Sequence, residues 1–247
     1  MYSPQKLTTR TLEVIDQVLT GNIPRSSQVK DVQNATSISL RTGALFVLVA
    51  GIGYGSAMGC YAAIANQRPW MEQGLQMLFS GLKVPLLISA TLLIALPSFF
   101  ILNTLLGLRQ QFKESLRAIV LAQTGLVIIL LSLAPITLFV YVSVSPMRQG
   151  YSLAVLWNAI AFGGSSVLAQ LLLRRNYRRL ILQDARHRKM VWVWIFVYAF
   201  VGIQVAYILR PFIGSPASEI SFFREDPFEN AYVRVFQLIG SATDLWH

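Results

Sequence analysis

The chain has 247 residues, of which 54% are hydrophobic and 13% are charged, and its formal net charge is +10. Soluble domains carry about 25% charged residues, so this composition excludes an ordinary soluble protein and favours one that crosses a membrane several times. The single cysteine, Cys60, excludes an intramolecular disulfide and a cysteine-rich zinc site. Two histidines, His187 and His247, leave little from which to build a metal or haem site, so we expect no cofactor.

The first 41 residues are polar and lack the apolar core and small-residue cleavage site of a secretory signal. Within them, residues 7–19 place apolar side chains near one helical face. This pattern predicts an N-terminal amphipathic helix that lies in the plane of the cytoplasmic membrane surface. A solvated helix that packs on the protein's own loops is an equally good interpretation. Residues 20–40 are rich in Ser, Asn and Gly, which is typical of a linker.

Five uncharged runs follow, each close to or above the roughly 20 residues that a transmembrane helix needs. They are residues 42–65, 84–108, 118–145, 151–173 and 190–209. The segment 70–82, between the first two runs, is predicted to lie at the outer membrane interface. The sequence therefore predicts an all-α polytopic membrane protein, with a cytoplasmic segment at 1–41, a five-helix domain at 42–210 and an extracytoplasmic tail at 211–247.

The distribution of Lys and Arg predicts the orientation in the membrane. If the five spans alternate, the N-terminal segment and the loops at 109–117 and 174–189 share one side. That side carries 15 basic residues, and the other side carries six. The positive-inside rule assigns the richer side to the cytoplasm, so we expect the N-terminus inside and the C-terminus outside.

Small residues at four-residue spacing predict close contact between membrane helices, because they let two backbones approach. The stripes are Gly51, Gly55 and Gly59 in the first span, and Ala161, Ser165 and Ala169 in the fourth. Packing between spans of one chain and contact between subunits of an oligomer are both open interpretations, and the first is preferred.

Prolines and uncharged polar residues interrupt the apolar runs. Pro97 and Pro135 lie inside the second and third spans, where each predicts a kink or local unwinding. Interhelical hydrogen bonds are expected from Asn103, Gln123, Asn158 and Gln204. A polar substrate path is the alternative interpretation of these four residues. No Asp, Glu, Lys, Arg or His lies inside a predicted span, which argues against a proton-coupled pump, a voltage sensor or an intramembrane protease.

A basic run follows the fourth span. Residues 174–189 contain seven basic residues and one acid. The run begins at the membrane exit with Arg174, Arg175, Arg178 and Arg179. Each basic residue near an anionic membrane surface contributes about 1 kcal/mol, so the loop predicts contact with anionic lipid headgroups. A topology signal in a solvated loop explains the charge as well, and nucleic-acid binding is a poor third because no aromatic platform accompanies it.

The end of the fifth span carries the most distinctive motif, LRPFIGSP followed by FFR. Its candidate residues are Arg210, Pro211, Gly214, Pro216 and Arg224. The prolines predict a sharp helix end, and Arg210 can extend to the outer interface. We expect Arg210 to pair with an acid of the tail and to tie the loop 215–229 onto the outer face of the bundle.

The chain resembles the bacterial Yip1-like family of five-span membrane proteins in three segments. They are KVPLL, LPSF and NTLLG within residues 83–107, LAPI at 133–136, and VGIQ, LRPFIGSP and FFR within 201–224. The resemblance covers about residues 80–235 and implies the same five-span layout in a bacterial cytoplasmic (inner) membrane. The eukaryotic Yip1 proteins are associated with membrane trafficking and small GTPases, but the extracytoplasmic tail departs from their pattern.

These observations favour a non-enzymatic integral membrane protein that acts as a scaffold, an anchor or a small subunit of a membrane assembly. The alternative is a permease-like component that moves a small neutral or lipidic molecule, and an enzyme that acts on lipid at an interface is a weaker one. The expected partners are the lipid bilayer, anionic headgroups on the cytoplasmic side, and a protein partner or second copy, but not nucleic acid.

Overall fold

The computed structural model describes residues 40–65, 69–147, 149–209, 212–213 and 222–223. Within these ranges the chain is almost entirely helical and has no β-strand. The helices there are α1 (Leu40–Gly59), α2 (Tyr61–Ile64), α3 (Trp70–Leu105), α4 (Phe112–Val144), α5 (Gly150–Gln183) and α6 (Arg186–Ile208). The predicted amphipathic helix at 7–19 lies outside the described residues.

Five helical segments are long and apolar enough to cross a membrane, which confirms the predicted all-α, five-span fold class. They are Thr42–Ile64, Trp70–Leu105, Arg109–Val144, Gly150–Arg178 and Arg186–Ile208. Several helices extend well beyond their apolar runs. The 36 residues of α3 measure about 54 Å at 1.5 Å per residue, against a hydrocarbon core about 30 Å thick.

Residues 70–82, which are predicted to lie at the outer membrane interface, are helical. They form the first part of α3, which continues through Pro85 into the second span. The side chains of Gln76 and Ser80 are buried there. The physical reason is that this segment packs along α1, so tertiary contacts stabilise the helix before its apolar run begins.

The helices form a ring. α1 lies between α3 and α4, α4 also contacts α5, and α3 also contacts α6. α5 and α6 close the ring, although they contact each other less extensively than the other neighbours do. We call the end with the connections at 105–112 and 183–186 the basic end, and the other end the opposite end.

Two hydrophobic clusters fill the ring. The first lies toward the opposite end, where α1 packs with α3, α4 and α5 around Tyr54, Leu130 and Tyr141. The second lies toward the basic end, where α3, α4, α5 and α6 meet around Phe99 and Trp194. α1 therefore supports one end of the bundle and α6 supports the other.

The two prolines predicted to kink or unwind the spans lie within continuous helices. α3 runs through Pro97, and α4 runs through Pro135. Neither helix is therefore interrupted at its proline.

Candidate functional site

The glycine stripe of the first span faces α3. A Cβ atom at Gly55 would lie 2.9 Å from Cα of Gly81, and one at Gly59 would lie 2.6 Å from Cα of Met77. Gly51 faces the same helix. Because the nearest neighbours of Gly55 and Gly59 on α3 are backbone atoms, they cannot move aside as a flexible side chain would. The stripe thus lies between two helices of one chain.

The small-residue stripe of the fourth span is the buried side of α5. Ala161, Ser165 and Ala169 are all buried, and the main neighbour of α5 is α4. The rest of the α5 surface is largely exposed. A Cβ atom added at Gly163 or Gly164 would have no heavy atom within 4 Å. Within the described part of the chain, α5 thus contacts the bundle through a narrow stripe, and a wide face of the helix has no cover.

A hydrogen-bonded network joins α1, α4 and α5 within the first hydrophobic cluster. The Tyr54 hydroxyl donates to Oδ1 of Asn158 at 3.2 Å, and Nδ2 of Asn158 donates to the Tyr141 hydroxyl at 2.6 Å. That hydroxyl donates to the carbonyl of Met58 at 3.3 Å. Polar groups in this part of the bundle therefore satisfy one another across three helices.

The other predicted hydrogen-bonding residues differ in their roles. Gln123 in α4 accepts a hydrogen bond from the Tyr198 hydroxyl of α6 at 2.9 Å, as an interhelical bond. Asn103 instead donates through Nδ2 to the carbonyl of Leu108 at 3.3 Å, which closes the turn after its own helix. Gln204 is half-buried in α6.

A second polar cluster lies at the basic end. His187 is fully buried, its Nε2 contacts Oε1 of Gln111, and its ring lies 5.7 Å from that of Tyr177. Nδ1 of His187 and Nε1 of Trp194 have no hydrogen-bond partner within the described part of the chain. Buried polar atoms of this kind are commonly satisfied by internal water.

The basic run predicted to contact lipid begins on the exposed surface of α5. Arg174, Arg175 and Arg178 are exposed, and the side chain of Arg179 lies outside the described residues. Cζ of Arg174 lies 4.2 Å from the ring centre of Trp192 in α6, in a cation–π contact. This contact joins α5 and α6, which contact each other less extensively than the other neighbours in the ring do.

The connection between α5 and α6 carries an ion pair. Nη2 of Arg186 lies 2.7 Å from Oδ2 of Asp184, and Nη1 of Arg186 donates to the carbonyl of Leu106 at 2.8 Å. The hydrogen bonds from Arg186 lower the pKa of Asp184. One arginine thus links the α5–α6 connection to the α3–α4 connection.

Lys83 comes directly before the predicted second span, so the sequence places it outside the membrane. In the structure it lies within the segment Trp70–Leu105, and its side chain is fully buried. Nζ lies 5.3 Å from the ring centre of Phe222. The carbonyl of Phe212 accepts hydrogen bonds from Ser80, one turn before Lys83, and from Gln76, two turns before it. Gln76, Ser80 and Lys83 are polar residues on one helical face, and this pattern in the sequence indicates a buried polar face.

The predicted outer-face motif is described only in part. Phe212 and Ile213 contact the bundle, and Phe222 lies edge-on to Phe79 with 5.3 Å between ring centres. The motif residues outside the described ranges are Arg210, Pro211, Gly214, Pro216 and Arg224. The proposed pairing of Arg210 with an acid of the tail stays a prediction.

Comparison of the chain with protein-family models, curated proteins and solved structures gives no match. In the ranges that the structure describes, no group of three or more His, Cys, Asp or Glu side chains could hold a metal ion. The resemblance to the Yip1-like family stays a prediction.

Proposed function

We propose that this protein is a non-enzymatic membrane scaffold that holds a transmembrane helix of a partner protein against α5. The observation that carries the proposal is the uncovered face of α5, which includes Gly163 and Gly164. A neighbouring helix can approach closest where side chains are absent, and van der Waals packing then drives the association in lipid.

The hydrogen bonds of Asn158 support a static rather than a transporting role. This residue lies on the buried side of α5 and bonds to Tyr54 of α1 and Tyr141 of α4. A polar group that guides a substrate must exchange its partners during transport. Here the polar groups are paired with each other and tie α5 to the bundle, which leaves its other face available for a partner.

The orientation and membrane are part of the same proposal. Basic residues are concentrated at the basic end, including the exposed Arg109, Lys113 and Arg117 of the α3–α4 connection and the start of α4. The positive-inside rule assigns this end to the cytoplasm. The Yip1-like resemblance adds the expectation of a bacterial inner membrane.

The mass of the protein extracted from its native membrane in mild detergent tests the scaffold role. We expect native mass spectrometry to find the chain bound to another membrane protein. Replacing Gly163 and Gly164 together by leucine should release that partner, because the two side chains would occupy its contact surface. Gly74→Leu is the matched control, since it fills an equally open position on α3.

Three outcomes contradict the scaffold proposal. The first is a complex that both the Gly163/Gly164 variant and the Gly74 control leave intact. The second is a homo-oligomer, which would identify the occupant of the α5 face as a second copy. The third is a monomer that moves a small neutral solute in proteoliposomes, which would support the permease alternative.

A further inference from the structure

We propose that α5 and α6 form a binding site for the phosphate of an anionic phospholipid, built by Arg174, Arg178, Arg188 and Trp192. The site lies at the basic end, on the surface of the α5–α6 pair. It goes beyond the scaffold function and does not depend on it, because it lies about three helical turns further along α5 than Gly163 and Gly164, at the basic end.

Two contacts that involve aromatic side chains establish the register between α5 and α6. On the exposed side, Cζ of Arg174 lies 4.2 Å from the ring centre of Trp192. On the buried side, the rings of Tyr177 and His187 are 5.7 Å apart. The helices run in opposite directions away from their short connection, and both contacts agree with one antiparallel register.

This register brings two further arginines to the same level. Arg178 lies one turn after Arg174 on α5, and Arg188 lies one turn before Trp192 on α6, so each is on the same helical face as its neighbour. All four side chains are exposed. Three guanidinium groups and one indole therefore occupy a single patch across the two helices.

The positive charge of this patch favours the binding of an anion. Residues 174–189 contain seven basic residues and one acid, Asp184. That acid is engaged by Arg186, whose Nε and Nη2 donate to Oδ2 at 2.9 and 2.7 Å. Guanidinium groups bind phosphate oxygens through pairs of parallel hydrogen bonds, so a phosphate is the anion that fits them best.

The depth of the patch favours a lipid as the source of the phosphate. The apolar segment of α5 ends at Arg178, and that of α6 begins at Arg186. Trp192 is 58% exposed near this boundary, where indole rings typically lie at the level of lipid headgroups. The cation–π contact holds the Arg174 guanidinium beside this ring.

Lipid retention by the full-length protein tests the site. We expect native mass spectrometry to find phosphatidylglycerol bound about tenfold more tightly than phosphatidylcholine, when each is added to protein in neutral detergent. Arg174→Gln should weaken phosphatidylglycerol binding roughly fivefold, the loss of about one favourable charge contact. Trp192→Leu should also weaken it, although this change leaves the charge of the protein unaltered.

Arg175→Gln is the matched control. It removes the same charge from the neighbouring position of α5, which points about 100° away around the helix, and should weaken retention less than Arg174→Gln does, because it keeps the contact between Arg174 and Trp192. Equal losses from Arg174→Gln and Arg175→Gln would mean unspecific charge attraction and would overturn the site. Equal retention of the two lipids by the unaltered protein would also overturn it. Displacement of the lipid by millimolar inorganic phosphate would overturn the lipid as the source of the anion.

The lipid site and the scaffold can fail independently. Arg174→Gln should leave the mass of the native protein complex unchanged, and the Gly163/Gly164 double variant should leave lipid retention unchanged. Loss of both properties in either variant would indicate a general disturbance of α5, which circular dichroism and thermal unfolding would reveal.

Discussion

The close approach of α1 to α3 requires glycines in the first span, because the side chain of glycine is a single hydrogen atom. At Gly55 the nearest neighbours are the backbone atoms of Ser80 and Gly81. A backbone atom in a helix cannot rotate away as a side-chain atom can. Adding one methyl group therefore requires the two helices to move apart along the whole contact.

Gly55→Ala is expected to destabilise the bundle by about 1–3 kcal/mol, the usual range for overpacking. The expected result in detergent is a lower midpoint of thermal unfolding. Gly163→Ala is the control, because its Cβ atom meets no heavy atom within 4 Å. There the change should be neutral or stabilising, since alanine favours a helix over glycine by about 1 kcal/mol. Equal midpoints for the two variants would refute the role assigned to Gly55.

Some of this residue-scale detail could be predicted from the sequence, and some could not. The four-residue spacing of Gly51, Gly55 and Gly59 indicated close contact, but not the identity of the facing helix. From the sequence alone, Lys83 falls outside the second span, because the uncharged run begins at the next residue. Its burial depends on residues far along the chain, including Phe222, and no local pattern contains that information.

The helix connections at the basic end are held together by side-chain contacts with backbone groups. Gly107 has a φ of +74°, a conformation that suits glycine, at the turn after α3. Next to it, the carbonyl of Leu106 accepts a hydrogen bond from Arg186. The Asp184 carboxylate in turn accepts hydrogen bonds from the side chain and from the backbone N–H of Arg186. This contact chain couples the α3–α4 and α5–α6 connections.

Acidification is expected to loosen this coupling. Hydrogen bonds from Arg186 lower the pKa of Asp184 below its ordinary value of 3.8. A carboxyl group with a lowered pKa in the folded state stabilises it fully above the unfolded value, and this contribution is lost as the pH falls through the folded pKa. Spin labels at Gln110 and Gln183 should therefore show a broader distance distribution below the lowered pKa of Asp184 than at pH 6.

The spin-label experiment tests whether the charge of Asp184 holds the two connections together. Asp184→Asn should give the broader distribution at both pH values. Glu114→Gln, which removes another acid from the same end, should keep the dependence on pH. A distribution of Asp184→Asn that matches that of the unaltered protein at pH 6 would show that the ion pair does not hold the connections together.

At the scale of helices, the apolar runs identify the spans but not the helix ends. The run of the second span begins at Val84, whereas α3 begins at Trp70. Hydropathy reports which part of a helix faces lipid. The part outside the apolar run is stabilised by packing, here against the glycines of α1, and that packing partner is not a property of the segment itself.

At the scale of the whole molecule, the order of the helices around the ring is set by contacts distant in sequence. α1 lies between α3 and α4, and α6 reaches α3 but not the glycine stripe. The number of spans can be predicted because the length and composition of each segment are properties of that segment alone. The neighbours of each helix follow from complementary surfaces, such as Gly55 against Gly81, and these are pairwise properties that a single sequence does not display.

The excess of basic residues at one end predicts the orientation of the whole bundle. The predicted cytoplasmic side carries 15 Lys and Arg residues, and the other carries six. Gln110 and Gln149 are exposed in connections at opposite ends of α4, so a cysteine at either position is accessible to a reagent that reaches its side. In a Cys60→Ala background, a membrane-impermeant maleimide added to intact cells should label Gln149→Cys at once. Gln110→Cys should react only after the membrane is permeabilised. The reverse pattern would place the basic end outside, and equal labelling of both positions in intact cells would contradict a single orientation.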